Sequence, residues 1–262
     1  VGFSAAAITD HDNCDGVDEF LSAPSFQGCR RISGIELSIE PGNGFDKFHL
    51  VALGIDRNDG RLKKLLQRVL EGRNARNRCI AENFARIGIE INQEDLKTYA
   101  NGEVLARPHF ARYLADRGYV SDVTQAFERY LLPDSPPEHR CYEERWHPQQ
   151  NEVFDIVHAA GGICVMAHPK YWRARWRREG CDFAAAEREL WRLKECGLDA
   201  LECLYQANLP EENVRFSMIA DRVGLLKSAG SDFHGSNKPT IKLGMEVSEN
   251  YIAPFLERLN LV

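Results

Sequence analysis

Five short segments of this chain set a histidine, aspartate or glutamate inside or directly after an apolar run. They are Ala5-Ala6-Ala7-Ile8-Thr9-Asp10-His11-Asp12, Ile32-Ser33-Gly34-Ile35-Glu36, Phe48-His49-Leu50-Val51, Val165-Met166-Ala167-His168-Pro169 and Gly230-Ser231-Asp232-Phe233-His234-Gly235. Strands that end in ligand-type residues are how a parallel barrel builds a metal site at one rim. Imidazoles mixed with carboxylates suit Mn, Fe or Zn better than Ca or Mg. Two or three divalent cations at such a rim would activate water and offset charge on a phosphoryl oxygen. No Ser or Cys nucleophile with a paired base stands out, which favours direct attack by water. The chemistry expected is metal-dependent hydrolysis.

Each segment has its own reading and its own alternative. His11 could ligate through one ring nitrogen while Asp10 or Asp12 orients the other or holds a neighbour; the alternative is an exposed polar turn. Asp232 and His234 are two apart, so on an extended strand they share a face and can aim at one centre, with Gly230 and Gly235 allowing sharp turns. His168 closes the run Ile163 to Ala167, and Pro169 fixes the backbone just beyond it. Glu36 could bridge two cations; as an isolated residue it would be a surface charge. His49 lies inside the apolar run Phe48 to Leu53, where a satisfied core histidine is the default.

A second theme is basic. Arg73-Asn74-Ala75-Arg76-Asn77-Arg78 places Arg73 and Arg76 on one helical face, and Arg107-Pro108-His109 adds another basic pair. Guanidinium groups grip phosphate well; a solvated helix face is the ordinary alternative. Tyr171 to Arg178 interleaves aromatics with arginines, which could stack bases and hold phosphates, or pack tryptophans inward with arginines in water.

These residues need strands to position them. Ala5 to Thr9, Arg31 to Leu37, Phe48 to Leu53, Gly162 to Ala167, Ala200 to Leu204 and Leu225 to Ala229 read as short buried strands. Helical stretches at Glu152 to Ala160, Phe183 to Cys196 and Glu211 to Val223 alternate with the later ones, as in a parallel sheet or barrel with helices outside. From about Gly60 to Tyr130 the pattern is helical instead: a long stripe from Leu62 through Phe84 and Ile87, then helices near Asn92 to Tyr99, Pro108 to Asp116 and Val120 to Tyr130. Leu132 to Pro137 reads as the return linker. The division expected is residues 1–58 and 134–262 as the metal-binding domain, and 59–133 as a helical insertion that binds substrate phosphate.

At 262 residues the chain can bury a substantial core, and its 44% hydrophobic and 27% charged content is ordinary for a globular protein. A net charge of -6 argues against a dedicated duplex-DNA binder but permits a small anionic substrate in an arginine-lined pocket. The eight cysteines form no C-x-x-C pair, and a disulfide framework is not expected; Cys164 and Cys203 read as small core residues. No apolar stretch is long enough to span a membrane, and Val1-Gly2-Phe3-Ser4 lacks a signal-peptide start, so the expected location is cytoplasmic.

Taken in order, the Thr9 to Asp12, Gly34 to Glu36, Phe48 to Gly54, Ala167 to Pro169 and Gly230 to His234 segments resemble the motifs of the PHP (polymerase and histidinol phosphatase) family of metal-dependent phosphoesterases. The insertion with Arg107-Pro108-His109-Phe110-Ala111-Arg112 is similar to one branch, which contains nucleoside 3',5'-bisphosphate phosphatases and 5'-to-3' exoribonucleases acting on short RNA. The resemblance implies an α/β fold, a distorted (β/α)7 PHP barrel with a helical insertion domain. It implies two or three divalent metal sites, Mn being the first choice and Fe or Zn alternatives. It implies His11, Glu36, His49, His168, Asp232 and His234 as metal ligands, Glu36 bridging. It also implies substrate-phosphate contacts from Arg76 and Arg107, with Arg73 and His109 as further candidates.

The family begins with a strand carrying His-x-His and then an Asp, elements that would lie before Val1. The expectation is therefore an N-terminally incomplete barrel with six protein ligands, weaker metal binding and reduced activity. The function expected is hydrolysis of a phosphate ester of a nucleotide, either a nucleoside 3',5'-bisphosphate or a short RNA 5' end. Two alternatives stand beside it: a catalytically impaired nucleotide- or RNA-binding protein, and a phosphatase of another small phosphorylated metabolite.

Overall fold

The computed structural model describes residues 2–24, 28–42, 46–100, 104–172, 183–235 and 238–260, with main chain alone at 171, 172 and 183–185. The aromatic and basic side chains of Tyr171 to Arg178 fall outside the described residues. Two compact units divide the chain: Val1–Lys63 with Pro148–Val262, and Lys64–His147.

The first unit is mixed α/β. Strand β1 (Ala5–Ala7) pairs in parallel with β2 (Arg30–Ile32). A five-stranded sheet holds β3 (Gly34–Ile39), β4 (Phe48–Leu53), β5 (Ile163–Met166), β6 (Ala200–Tyr205) and β7 (Leu226–Gly230), neighbours in chain order. A parallel bridge between His11 and Glu36 ties the chain beyond β1 to β3. There the Glu36 amide donates to Asp10 O at 3.0 Å and the Asp12 amide to Glu36 O at 2.9 Å.

Two features differ from the sequence reading. First, β4 runs antiparallel to both its neighbours, β3 and β5, so it alone opposes the direction shared by the other strands of the five-stranded sheet. A parallel crossover needs a dozen or more residues, so the short 40–47 connection can only return the chain alongside β3 in the opposite sense. Second, the run Arg31 to Leu37 is split between the two sheets at Ser33-Gly34. Gly34 is pressed from two sides: a Cβ there would lie 2.8 Å from Ile8 O and 3.0 Å from Ala52 O. Only a residue without a side chain lets both backbones approach.

The strands read as near-continuous apolar runs because they are covered on both faces. Ile35, Leu37, Ile39, Leu50, Ala52, Cys164, Met166, Leu201 and Cys203 are fully buried. The covering helices include Gln150–Ala159, Phe183–Glu195 and Pro210–Val223. The last has proline in its first turn and stops at Gly224, whose φ is +73°. A further helix, Glu249–Arg258, escaped the sequence reading; Pro254 inside it interrupts the usual signal.

The second unit is helical. Most of the 27-residue helix Gly60–Arg86 belongs to it, with Gln93–Ala100, Arg107–Asp116 and Val123–Ala126, the last continuing as a π-turn over Phe127–Leu131. Ile80 and Phe84, one turn apart, enter a core with Leu96, Phe110, Leu114, Tyr130 and Leu131. The Phe84 ring lies 6.4 Å from Phe110 and 5.4 Å from Tyr130. The stretch after the Leu132 to Pro137 linker belongs to this core too: Cys141 is buried in it, and its amide donates to Tyr130 O at 2.8 Å. Every described cysteine is a free thiol, and no helix among the described residues is long and apolar enough to cross a membrane.

Candidate functional site

Sheet register explains how three residues far apart in sequence meet. His11 is the parallel bridge partner of Glu36. Val51 stands opposite Glu36 across the antiparallel pair, and His49, two residues earlier, is on the same face and diagonal to it. The reversal of β4 is what brings the start of that strand, not its end, to this rim. His168 follows β5, the other neighbour of β4.

Glu36 is the hub. It is 3% exposed. Its Oε1 lies 2.7 Å from His49 Nδ1 and 2.9 Å from His168 Nε2, and its Oε2 lies 3.5 Å from His11 Nε2. Ring centroids are 5.2 Å apart for His11 and His49, and 5.0 Å apart for His49 and His168. Burial alone would push the Glu36 carboxyl up, but hydrogen bonds from His168 and His49 and the charge of His11 hold it well below the usual carboxylate range. Burial works against a charged His168, yet its bond to Glu36 and the nearby carboxylates raise its pKa. His49 is not a core histidine: its side chain is 37% exposed.

Donor atoms of His11, Glu36 and His49 already lie within 4.8 Å of one another, a spacing that suits one ion. An open cleft of about 250 Å3 is lined by His11, Lys47, Phe48, His49, Ala167, His168, Asp232 and Lys238. Asp232 reaches it from beyond β7, where its Oδ2 accepts from Lys238 Nζ at 2.5 Å and Tyr205 Oη at 3.1 Å. His234 stands 6.0 Å from His11 by ring centroids, its Nδ1 2.8 Å from Asp232 O and 3.1 Å from Asp232 Oδ1. Between the two aspartates flanking His11, Asp12 is buried and Asp10 exposed.

Backbone strain concentrates here. Among the described residues the non-glycines with positive φ are Asp12 at +58°, His168 at +28°, Asp232 at +53° and Asn260 at +55°. Three of these belong to the segments that form the cleft. Such conformations cost about 1–3 kcal/mol each and persist where the surroundings over-determine them.

Sequence reasoning missed Glu202, Tyr205, Lys47 and Lys238. Glu202 carried a signal, being the one charge in the strand Ala-Leu-Glu-Cys-Leu-Tyr. Desolvation pushes its carboxyl up to about 7, aided by Glu36 and Asp232 and opposed by the amide and charge of His168. A second trio, His158, Cys164 and Asp199, also has donor atoms within 4.8 Å of one another. Its groups are already used as a strut: Asp199 Oδ2 takes His158 Nε2 and the Cys164 amide, each at 2.7 Å, and burial pushes the Cys164 thiol far up.

The helical unit gathers the arginines. Arg73 and Arg76 are buried, at 7% and 6% exposure. Burial, then the charges of Arg107, Arg73 and Arg145, lower the Arg76 pKa to about 9. Arg107 lies over the Tyr142 ring at 5.1 Å and donates to Leu131 O at 3.3 Å. His109 is buried and its Nδ1 accepts the Ala106 amide at 2.9 Å, so it caps the helix Arg107–Asp116. Arg145, absent from the sequence reading, joins this group from the segment after the linker. Cations packed this closely out of water repel one another, and an anion among them would relieve that repulsion.

No protein-family model matches the chain. It is 32% identical over 230 residues to a 3',5'-nucleoside bisphosphate phosphatase of Chromobacterium violaceum, covering 87% of this chain and 76% of that protein. It is 31% identical over 237 residues to a 5'-3' exoribonuclease of Haemophilus influenzae, covering 89% and 80%. Among solved structures, one from Bifidobacterium adolescentis assigned to the metal-dependent phosphoesterases superposes with a TM-score of 0.77 at 28% identity, over 98% of this chain and 86% of that one.

Proposed function

We propose, since the chain belongs to the PHP family of metal-dependent phosphoesterases, that it hydrolyses a phosphate ester of a nucleotide, a nucleoside 3',5'-bisphosphate or the 5' end of a short RNA. The observation that carries the reading is Glu36. A buried carboxylate held anionic by three imidazoles is costly unless it serves a cation. The donor set is mixed imidazole and carboxylate, which fits Mn, Fe or Zn, with Mn the first choice. His11, Glu36, His49, His168, Asp232 and His234 would hold the ions, with Asp12 supporting the His11 turn. Bound divalent cations supply the Lewis acidity that activates water and stabilises a phosphoryl oxygen.

The chain's own residues do the rest. Lys238 and Lys47 line the cleft and offset the charge of an incoming phosphate. Tyr205 and Lys238 orient Asp232 by donating to its Oδ2. Arg73, Arg76 and Arg107, with Arg145, offer a cradle for substrate phosphate; His109 fixes the start of the helix that carries Arg107. The chain divides accordingly into a metal-binding unit and a phosphate-holding helical unit in a cytoplasmic enzyme.

The test is phosphate release from a nucleoside 3',5'-bisphosphate, and nucleotide release from a short 5'-phosphorylated RNA, in Mn. Turnover of either, abolished by chelator and restored by Mn, is the expected result. Metal-loaded protein that binds these substrates without turning them over would instead make the chain a nucleotide-binding relative.

A further inference from the structure

Glu202 sits mid-strand in β6, between β5 and β7. Its Oε2 accepts the backbone amide of His168 at 2.6 Å. That amide belongs to a residue at φ +28°, a region that side chains rarely tolerate, followed by a proline that fixes the exit of the turn. The other oxygen faces β7: a Cβ added to Gly230 would collide with Glu202 Oε1. Gly230 ends β7 two residues before Asp232, itself at φ +53°. One carboxylate therefore touches the two strand ends from which His168 and Asp232 emerge.

We infer that Glu202 is a positioning residue that locks the His168 turn and, by packing on Gly230, sets where the Asp232 turn begins. It acts through these two residues, not on substrate. The role rests on reading His168 and Asp232 as metal ligands. The physical logic is that two ligands on separate strands, each in a strained backbone, need a common anchor to keep one geometry. A carboxylate on the intervening strand reaches both turns. The small residue at position 230 follows from the same arrangement.

Three variants test it: E202A, E202Q and G230A. Amide exchange at His168 in the chelator-treated protein reads the clamp without metal, and titration with Mn alone reads its consequence. E202A should speed His168 exchange and weaken Mn binding about 10- to 100-fold with its far-UV spectrum unchanged. E202Q keeps an acceptor oxygen, so it should stay within roughly threefold of wild type. G230A should displace the carboxylate and resemble E202A, while the double variant should be no worse than either single one. Equal exchange and equal Mn affinity in E202A and wild type would overturn the proposal. So would an E202Q as weak as E202A, which would make Glu202 a direct ligand. A wild type that binds no Mn would sink the metal reading, yet the exchange comparison would still decide the clamp.

Discussion

Replacing Glu36 by Gln separates the metal role of this residue from its structural one. The side chain keeps its volume and one acceptor oxygen, so packing in the 3%-exposed position is preserved. What goes is the charge that faces His11, His49 and His168 at 3.5, 2.7 and 2.9 Å. Without metal, the cost of burying that anion disappears along with the bonds it makes, and stability should change by only about 1 kcal/mol. With metal the effect is large. Losing one charged partner inside a protein costs about 3–5 kcal/mol, or roughly two to three and a half orders of magnitude in affinity. At free Mn set to one hundred times the wild-type Kd, binding stabilises the folded protein by about 2.7 kcal/mol. A hundredfold weaker variant retains about 0.4 kcal/mol at the same concentration. In a protein of this size the Mn-dependent rise in Tm should shrink from roughly 5–10 °C to about 1 °C. Thermal melts with and without Mn, beside elemental analysis of metal content, measure this directly. A variant that keeps the full Mn-dependent rise would refute Glu36 as a ligand, and one that melts many degrees lower without metal would make it mainly a structural hub.

Arg76→Met should raise KM for a nucleoside 3',5'-bisphosphate about tenfold or more with a smaller change in kcat; because it removes a buried cation beside other arginines, urea denaturation of the substrate-free protein should show no loss of stability. In chelator, stability should peak between the two titrations at the hub. Glu36 has a folded pKa below its ordinary 4.5, so its contribution is present above that value and lost as pH falls through the lowered one. His168 has a folded pKa above 6.5, so its contribution is present below 6.5 and lost as pH rises through the raised value. A denaturation series that shows no decline above pH 6.5, or shows the same decline in His168→Gln, would contradict this. Gly34→Ala should destabilise by about 1–3 kcal/mol, since its methyl meets the backbone oxygens of Ile8, just beyond β1, and of Ala52 in β4; an unchanged denaturation midpoint would show that these segments can part.

Much of this protein is legible in its sequence, because the signals are local. Apolar runs became strands in nearly the expected places, since burial on both faces of a sheet demands continuous apolar residues. The helical stripe through Ile80 and Phe84 became a core for the same reason at the helical period. Histidines and acids after those runs marked a metal-type cleft, because few other uses need that combination at strand ends. The antiparallel course of β4 was not legible as an alternation pattern; it follows from the length of one connection. The split at Gly34 depends on two backbones that come from distant parts of the chain. Taken alone His49 read as a core residue, and only the family resemblance made it a ligand; the register sets it diagonal to Glu36. His109 read as a candidate phosphate contact, and only the fold shows that its Nδ1 also caps the helix through the Ala106 amide. Glu202 was visible as a lone charge in an apolar strand, but its role waited on which turns the neighbouring strands place against it. Residue type and period are properties of the chain, whereas register, strand direction and backbone strain arise only when separate segments meet.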